Sequence, residues 1–322
     1  MRPSAPRLFN PLFTNPHVAT VVANFWPRKY DYSAYPMQSR LVQTDPDTQV
    51  LVQTQFPKGK AIGEVVLLHG LEGGGGAGYC VSNAWHALER GFVVHRFHMR
   101  TCGGTEQLCK TLYHAGLTSD LREFLRQNAQ QGRDLPIILI GYSLGGNVGL
   151  KLAGELGDTN VIAGVCAIST PIDLGACAYR MRDPDNLIYE RRFVKRMKAR
   201  VLATGRVPAE TLLPLKSIFD IDEYVTAPSF GFRNAEHYYQ TQSAKVFLPE
   251  IRVPTMIVQA KDDTFIPFKI FDNPAIGANP NIRLAVTDHG GHLGFLARSG
   301  QRFWMVDAAM DFAGQVVANK AA

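Results

Sequence analysis

The sequence predicts an α/β fold, a mostly parallel sheet flanked by helices, and three observations carry that prediction. The first is a series of short apolar runs at Glu64 to His69, Phe92 to Phe97, Ile137 to Ile140, Val161 to Ile168, Pro254 to Ala260 and Ile282 to Thr287. Such runs are too short for helices on their own, and the Val, Ile and Leu content of those at Glu64, Ile137 and Val161 fits strands buried on both faces. The second is the helical spacing between them, at Ala84 to Glu89, at Leu121, Phe124 and Leu125, and from Val148 to Ala153. Strands alternating with helices close into a parallel sheet with helices on both sides. The third is an interruption: residues 172–250 break the alternation before the sheet resumes. The expected organisation is a core of residues 1–171 and 251–322, with 172–250 inserted as a helical lid or cap.

In chain order, residues 1–36 are rich in Pro, Asn and aromatics and read as an irregular arm over the domain. Two β-prone pieces follow between Arg40 and Val52, around a hairpin turn at Thr44-Asp45-Pro46-Asp47. The Glu64 strand runs into a loop with four consecutive glycines, Gly73 to Gly76, and Gly91 ends the next helix as a C-terminal cap. Within the insertion, Leu187 to Leu202 is amphipathic. Phe193, Val194, Met197 and Val201 share one face, and Arg192, Lys195, Arg196 and Arg200 lie toward the other. That basic side reads as the solvated face of an ordinary helix, with a lid meeting anionic lipid or substrate as the alternative. A closing helix is expected from Gln301 to Val317, and the chain shows no internal repeat.

Composition bounds the function. A chain of 322 residues, 46% hydrophobic and 19% charged, has the core of a globular protein: one large domain with an insertion, or at most two domains. A net charge of +6 is too mild to point to nucleic acid. Five cysteines, none in a Cys-x-x-Cys pair, argue against a disulfide framework and against a zinc site, and read as free thiols in a reducing compartment. The first thirteen residues carry no apolar core of a signal peptide, and no stretch approaches the roughly 18 apolar residues of a membrane span. A cytoplasmic location is expected.

The chemistry starts at Gly141-Tyr142-Ser143-Leu144-Gly145. Gly-x-Ser-x-Gly is weak as a string, but here it sits between a buried strand and a helix, the setting of a nucleophile elbow. Such a turn strains the serine backbone and holds its hydroxyl above the sheet edge. A serine hydroxyl needs a base, and the base needs an orienting acid. In the α/β-hydrolase arrangement these follow in the order Ser, acid, His, each after a later strand. After Ala260 come Asp262 and Asp263; after Thr287 come His289 and His292. Asp263, four residues before Pro267, is the expected acid, with Asp262 as the alternative. His292, after two glycines, is the expected base, with His289 as a structural or supporting histidine. The expected oxyanion donors are the amides of Leu144 and Leu71. The glycine run lacks the Gly-Lys-Ser/Thr ending of a phosphate loop, and a loop shaped around an acyl pocket is the better account of it. No cofactor and no metal are expected.

These motifs resemble the YheT-like family of α/β-hydrolases, which takes in the mammalian ABHD1/ABHD3-type proteins. The resemblance begins at Asn15 to Thr20 and continues through His69 to Gly73, Arg100 to Gly104, Tyr113 to Asp120 and Gly141 to Asn147. It includes Phe219 to Thr226 with Pro228, Gly231, Phe232, Tyr238 and Tyr239, and ends at Asp263 and Gly290 to Phe295. Thr101 stands where the family usually has Gly, and Ala19 where Gln is common. The resemblance implies a serine esterase or lipase-type hydrolase with Ser143, Asp263 and His292 as its triad, acting on medium-chain or phospholipid acyl groups.

The sequence therefore predicts a serine carboxylic ester hydrolase acting on small-molecule acyl esters through an acyl-enzyme. Acyl transfer to an alcohol and a non-catalytic ligand-binding role stand as alternatives, and peripheral contact with anionic lipid is a further expectation.

Overall fold

The computed structural model describes residues 3–321. Eight strands form one sheet: β1 (Gln38–Asp45), β2 (Thr48–Gln55), β3 (Gly63–Leu68), β4 (Phe92–Phe97), β5 (Ile137–Tyr142), β6 (Gly164–Ile168), β7 (Thr255–Ala260) and β8 (Ile282–Thr287). Their order is β1-β2-β4-β3-β5-β6-β7-β8. The short turn at Pro46 and Asp47 leaves β1 and β2 only an antiparallel pairing, and β2 meets β4 antiparallel as well. The other neighbours are parallel, joined by crossovers that carry the helices.

Among the described residues there are twelve α-helices: α1 (Pro16–Phe25), α2 (Gly78–Glu89), α3 (Ser119–Ala129), α4 (Leu144–Leu156), α5 (Leu174–Met181), α6 (Leu187–Ala203), α7 (Ala209–Leu212), α8 (Ile218–Ile221), α9 (Ala227–Ser229), α10 (Ala235–Gln242), α11 (Pro274–Ala278) and α12 (Trp304–Ala321). Successive strand residues point to opposite faces, and the core divides accordingly. Val66, Leu68 and Leu139 pack with α3 and α4, whereas Val65, Leu67, Ile138 and Ile140 pack with α2 and α12. Strands β3 to β7 are buried at every residue, which accounts for their largely apolar sequences, and the polar Glu64, His95 and Arg96 among them are hydrogen-bonded. The central strand β5 pairs Gly141 with Leu68 on one side and Ala167 on the other, so the chain leaves the sheet at Ser143 over its carboxyl edge.

Two expectations change. The arm is not irregular throughout, because Pro16–Phe25 is helical. The Asn15 side chain accepts from the Val18 amide at 3.1 Å, and Pro16 occupies the first turn, where its missing N–H costs nothing. The surrounding prolines and aromatics hid that start signal. The basic face of α6 is not uniformly solvated either: Arg192 and Lys195 are exposed, but the Arg200 side chain is 9% exposed and paired with Glu72. Between β6 and β7 the chain runs through α5 to α10, and a five-residue π-helix, Asp222–Thr226, lies between α8 and α9. All five cysteines are buried and free, and burial pushes the Cys80 and Cys102 thiols up to about 12. No helix among the described residues is long and apolar enough to cross a membrane.

Candidate active site

Ser143 sits between β5 and α4 with φ 51° and ψ −123°, a region that side-chain-bearing residues rarely enter. The turn is held on both sides. Its amide donates to the Ile168 carbonyl at 2.9 Å, and its carbonyl accepts from the Gly146 amide at 2.8 Å. A Cβ on Gly145 would overlap the Leu68 and His69 carbonyls, and one on Gly141 would overlap the Gly145 carbonyl. The two glycines thus let α4 press against β3 and β5, and that packing maintains the strained serine.

The structure brings Ser143, His292 and Asp263 into one hydrogen-bonded line. His292 Nε2 lies 3.0 Å from Ser143 Oγ, and its Nδ1 lies 3.0 and 3.1 Å from the two Asp263 oxygens. Asp263 is fixed in turn. Oδ1 accepts from the Phe265 and Ile266 amides at 2.9 and 3.2 Å, and Oδ2 accepts from Gln259 Nε2 at 3.1 Å. A carboxylate on Nδ1 keeps the proton there, leaving Nε2 free to accept from a serine hydroxyl. The Phe265 ring lies 4.4 Å from the imidazole centroid and covers it. The other acid and histidine form a parallel pair: Asp262 meets His289 Nδ1 at 3.1 Å and accepts the Gly291 amide at 2.9 Å. That pair holds the loop backbone one residue before His292 and does not reach Ser143.

Several supports of the site were not read from the sequence. The His292 amide donates to Thr20 Oγ1 at 2.9 Å, and a Cβ on Gly291 would collide with the Pro16 carbonyl. The α1 helix of the arm therefore braces the histidine loop. The Leu293 amide, on a residue with φ 58°, donates to Ser169 Oγ at 3.2 Å. Asn147 of α4 ties the helix to two other segments, donating to the Ala115 and Gln242 carbonyls and accepting from the Ala244 amide. The Asn-Pro helix start at Asn15 and the Asn147 that follows the elbow were the available signals; that they reach these partners is a tertiary fact.

The expected oxyanion donors flank the serine. Tyr79 Oη accepts the Gly70 amide at 3.0 Å and Tyr113 Oη accepts the Glu72 amide at 2.9 Å. The Leu71 N–H between them donates to no group among the described residues, and neither does that of Leu144. The preceding His69 is buried, and burial pulls its pKa down to about 4. It stays neutral, with Nδ1 toward the Gly70 carbonyl at 2.8 Å and Nε2 accepting the Met99 amide at 3.1 Å.

Ser143, His292, Leu71 and Leu144 open onto a cavity of about 120 Å³. Its walls are largely apolar, with Met181, Phe193, Met197, Val201 and Ile221 contributed by the segment between β6 and β7. One acid, Asp222 of the π-helix, is among them. Burial pushes its carboxyl up to about 6, although the Tyr239 hydroxyl donates to it at 2.7 Å. An unfolded carboxyl titrates near 3.8. Between about pH 4 and pH 6 the folded protein keeps a proton that the unfolded chain has lost, so stability falls as pH rises through that window. Asp222→Asn retains an acceptor for Tyr239 without the charge. It is expected to stabilise the protein by on the order of 2 kcal/mol above pH 7 and to change little at pH 4. Urea unfolding of both forms at pH 4 and pH 8 measures the difference.

Residues 65–304 match the alpha/beta hydrolase family. The chain belongs to that family. It is 32% identical to YheT of Escherichia coli (strain K12), over 88% of this chain and 85% of that protein. It is 28% identical to the Medium-chain fatty acid ethyl ester synthase/esterase 2 of Saccharomyces cerevisiae and 26% identical to the Phospholipase ABHD3 of Mus musculus, over 77% and 72% of this chain. The chain spans about three fifths of those two relatives, 61% and 58% of their lengths. Among solved structures, Est1E from Butyrivibrio proteoclasticus superposes with a TM-score of 0.58 at 14% identity, covering 87% of this chain and 99% of that one. The Pyrococcus furiosus esterase Pf2001 gives 0.59 at 15%, covering 89% and 96%. At these identities the structures establish the shared fold. With relatives named as an ester synthase/esterase and a monoacylglycerol lipase, this alpha/beta hydrolase is of the esterase and lipase type.

Proposed function

We propose that this alpha/beta hydrolase is a serine carboxylic ester hydrolase acting on short- to medium-chain or lipid-like acyl esters through an acyl-enzyme. The observation that carries the reading is the Ser143–His292–Asp263 line at the mouth of an apolar cavity. Ser143 Oγ attacks the ester carbonyl carbon as His292 Nε2 takes its proton. The carbonyl oxygen becomes an oxyanion that the Leu71 and Leu144 amides stabilise. The C–O bond to the alcohol then breaks, and His292 returns the proton to the leaving oxygen. Water repeats the sequence on the acyl-enzyme and releases the acid. Asp263 holds the imidazole tautomer throughout. Residues 172–250 serve as the cap that shapes the acyl pocket, as the apolar side chains they contribute to the cavity support.

Acyl transfer is the second reading. The Phe265 ring over His292 and the apolar walls limit access of water, which favours an alcohol as acceptor once the acyl-enzyme has formed. The yeast relative's name, ester synthase/esterase, supports the same branch.

Release of p-nitrophenol from an ester series of C2 to C16 acyl chains tests the reading, with Ser143→Ala alongside. The expected result is a rate maximum at short to medium chain length that the mutant abolishes. A folded wild type that turns over no ester in the series defeats it. Adding ethanol and measuring ethyl ester against free acid partitions hydrolysis from transfer.

A further inference from the structure

We propose that Arg200 of α6 is a positioning residue for the oxyanion loop, so that the insertion, and not the sheet alone, completes the geometry that receives the developing oxyanion. This inference rests on the esterase reading above.

Glu72 follows Leu71 directly and has φ 55°, in the left-handed region. Its amide, its carbonyl and one carboxylate oxygen are held from outside its own loop. Its amide donates to Tyr113 Oη at 2.9 Å, its carbonyl accepts from Arg196 Nη2 at 2.5 Å, and its Oε1 accepts from Arg200 Nε and Nη2, both at 2.8 Å. Arg200 reaches further. Its Nη1 donates to Thr101 Oγ1 at 2.9 Å, and its guanidinium lies 4.5 Å above the Tyr113 ring centroid. Thr101 is itself left-handed, with φ 57°. One arginine of the insertion thus secures two strained, non-glycine residues on two separate loops of the core.

Residues with a Cβ persist at such angles only where their surroundings over-determine them. The Arg200 and Glu72 side chains are 9% and 5% exposed, so neither charge has water to replace its partner. Arg200 also lines the cavity that holds Ser143 and His292. Without it, the Glu72 carboxylate and Thr101 lose the hydrogen bonds that tie them to α6, only Tyr113 and Arg196 still hold Glu72, and the neighbouring Leu71 N–H is aimed less firmly. The interaction lost belongs to the transition state, so the effect falls on kcat rather than on KM.

The test uses the full chain and its fastest p-nitrophenyl ester. The double variant Arg200→Met/Glu72→Gln removes both buried charges together, so neither is stranded, and its fold is checked by circular dichroism and melting. Its kcat is expected to fall by about 30- to 300-fold, with KM changing less than about threefold. Affinity for an alkyl trifluoromethyl ketone, which adds Ser143 to form an oxyanion, should fall by the same factor as kcat/KM. A merely structural contact would leave that affinity unchanged in the folded variant. Arg200→Lys is the second variant: it keeps the charge, loses the fork, and should lower kcat and ketone affinity by about tenfold. Wild-type kcat and ketone affinity in either folded variant overturn the proposal. Ser143→Ala runs in parallel. If wild-type turnover does not depend on Ser143, the esterase reading falls and this inference with it; if it does and the variants behave as wild type, only this inference falls.

Discussion

Ser143→Gly is expected to end turnover and yet to leave the protein more stable than Ser143→Ala. Both changes remove the nucleophile, and loss of a triad serine lowers kcat by about a millionfold in comparable hydrolases. Both also remove the 3.0 Å contact to His292, so the two variants differ only in what the backbone tolerates. At φ 51° and ψ −123°, alanine keeps the strain of serine, worth about 1–3 kcal/mol, whereas glycine relieves it. The greater entropy of unfolded glycine takes back about 0.5–1 kcal/mol. The glycine variant should therefore be more stable by about 1 kcal/mol, close to 2 °C in melting temperature for a chain of this size. Calorimetry of the two variants and stopped-flow release of p-nitrophenol make the comparison. Equal melting temperatures would sink the strain argument, and turnover within a thousandfold of wild type would sink the nucleophile.

Asp263→Asn is expected to lower kcat by about 10⁴-fold, while Asp262→Asn stays within about tenfold of wild type. An asparagine at 263 turns an NH₂ toward His292 Nδ1 and drives the imidazole proton onto Nε2. That nitrogen then donates to Ser143 instead of accepting from it. Asp262 touches His289 and the Gly291 amide, so its loss loosens the loop without changing the tautomer of the base. Steady-state kinetics on the same ester, with binding of a substrate-like ether as a check on the pocket, separates the two. A large loss at Asp262 with Asp263→Asn near wild type would reverse the assignment.

Much of the site was legible because its chemistry is written locally. A nucleophile elbow needs strand, Gly-x-Ser-x-Gly and helix in immediate succession, and Ile137 to Ala153 supplies all of it. The acid follows the buried strand β7 and the histidine the β-prone edge strand β8, so their loops could be found in order. The choice of Asp263 over Asp262 rested on one proline, and the two pairs found in the structure show why adjacent carboxylates resist a reading by spacing. The role of α1 was missed for a different reason. A short helix amid prolines has little periodicity, and its work, Thr20 on the His292 amide, spans 272 residues of chain.

Arg200 marks where local reading fails. Helical spacing placed it with Arg192 and Lys195, and spacing alone cannot tell a solvated guanidinium from one that reaches a buried carboxylate. Sequence periodicity follows from the local geometry of helix and strand, which determined the α/β fold, the elbow and the order of the candidate residues. Which carboxylate meets which histidine, which strained backbone is held and by what, depends on pairings between residues far apart in the chain. Those pairings exist only once the sheet has brought the loops to one edge, and tertiary structure alone decided them.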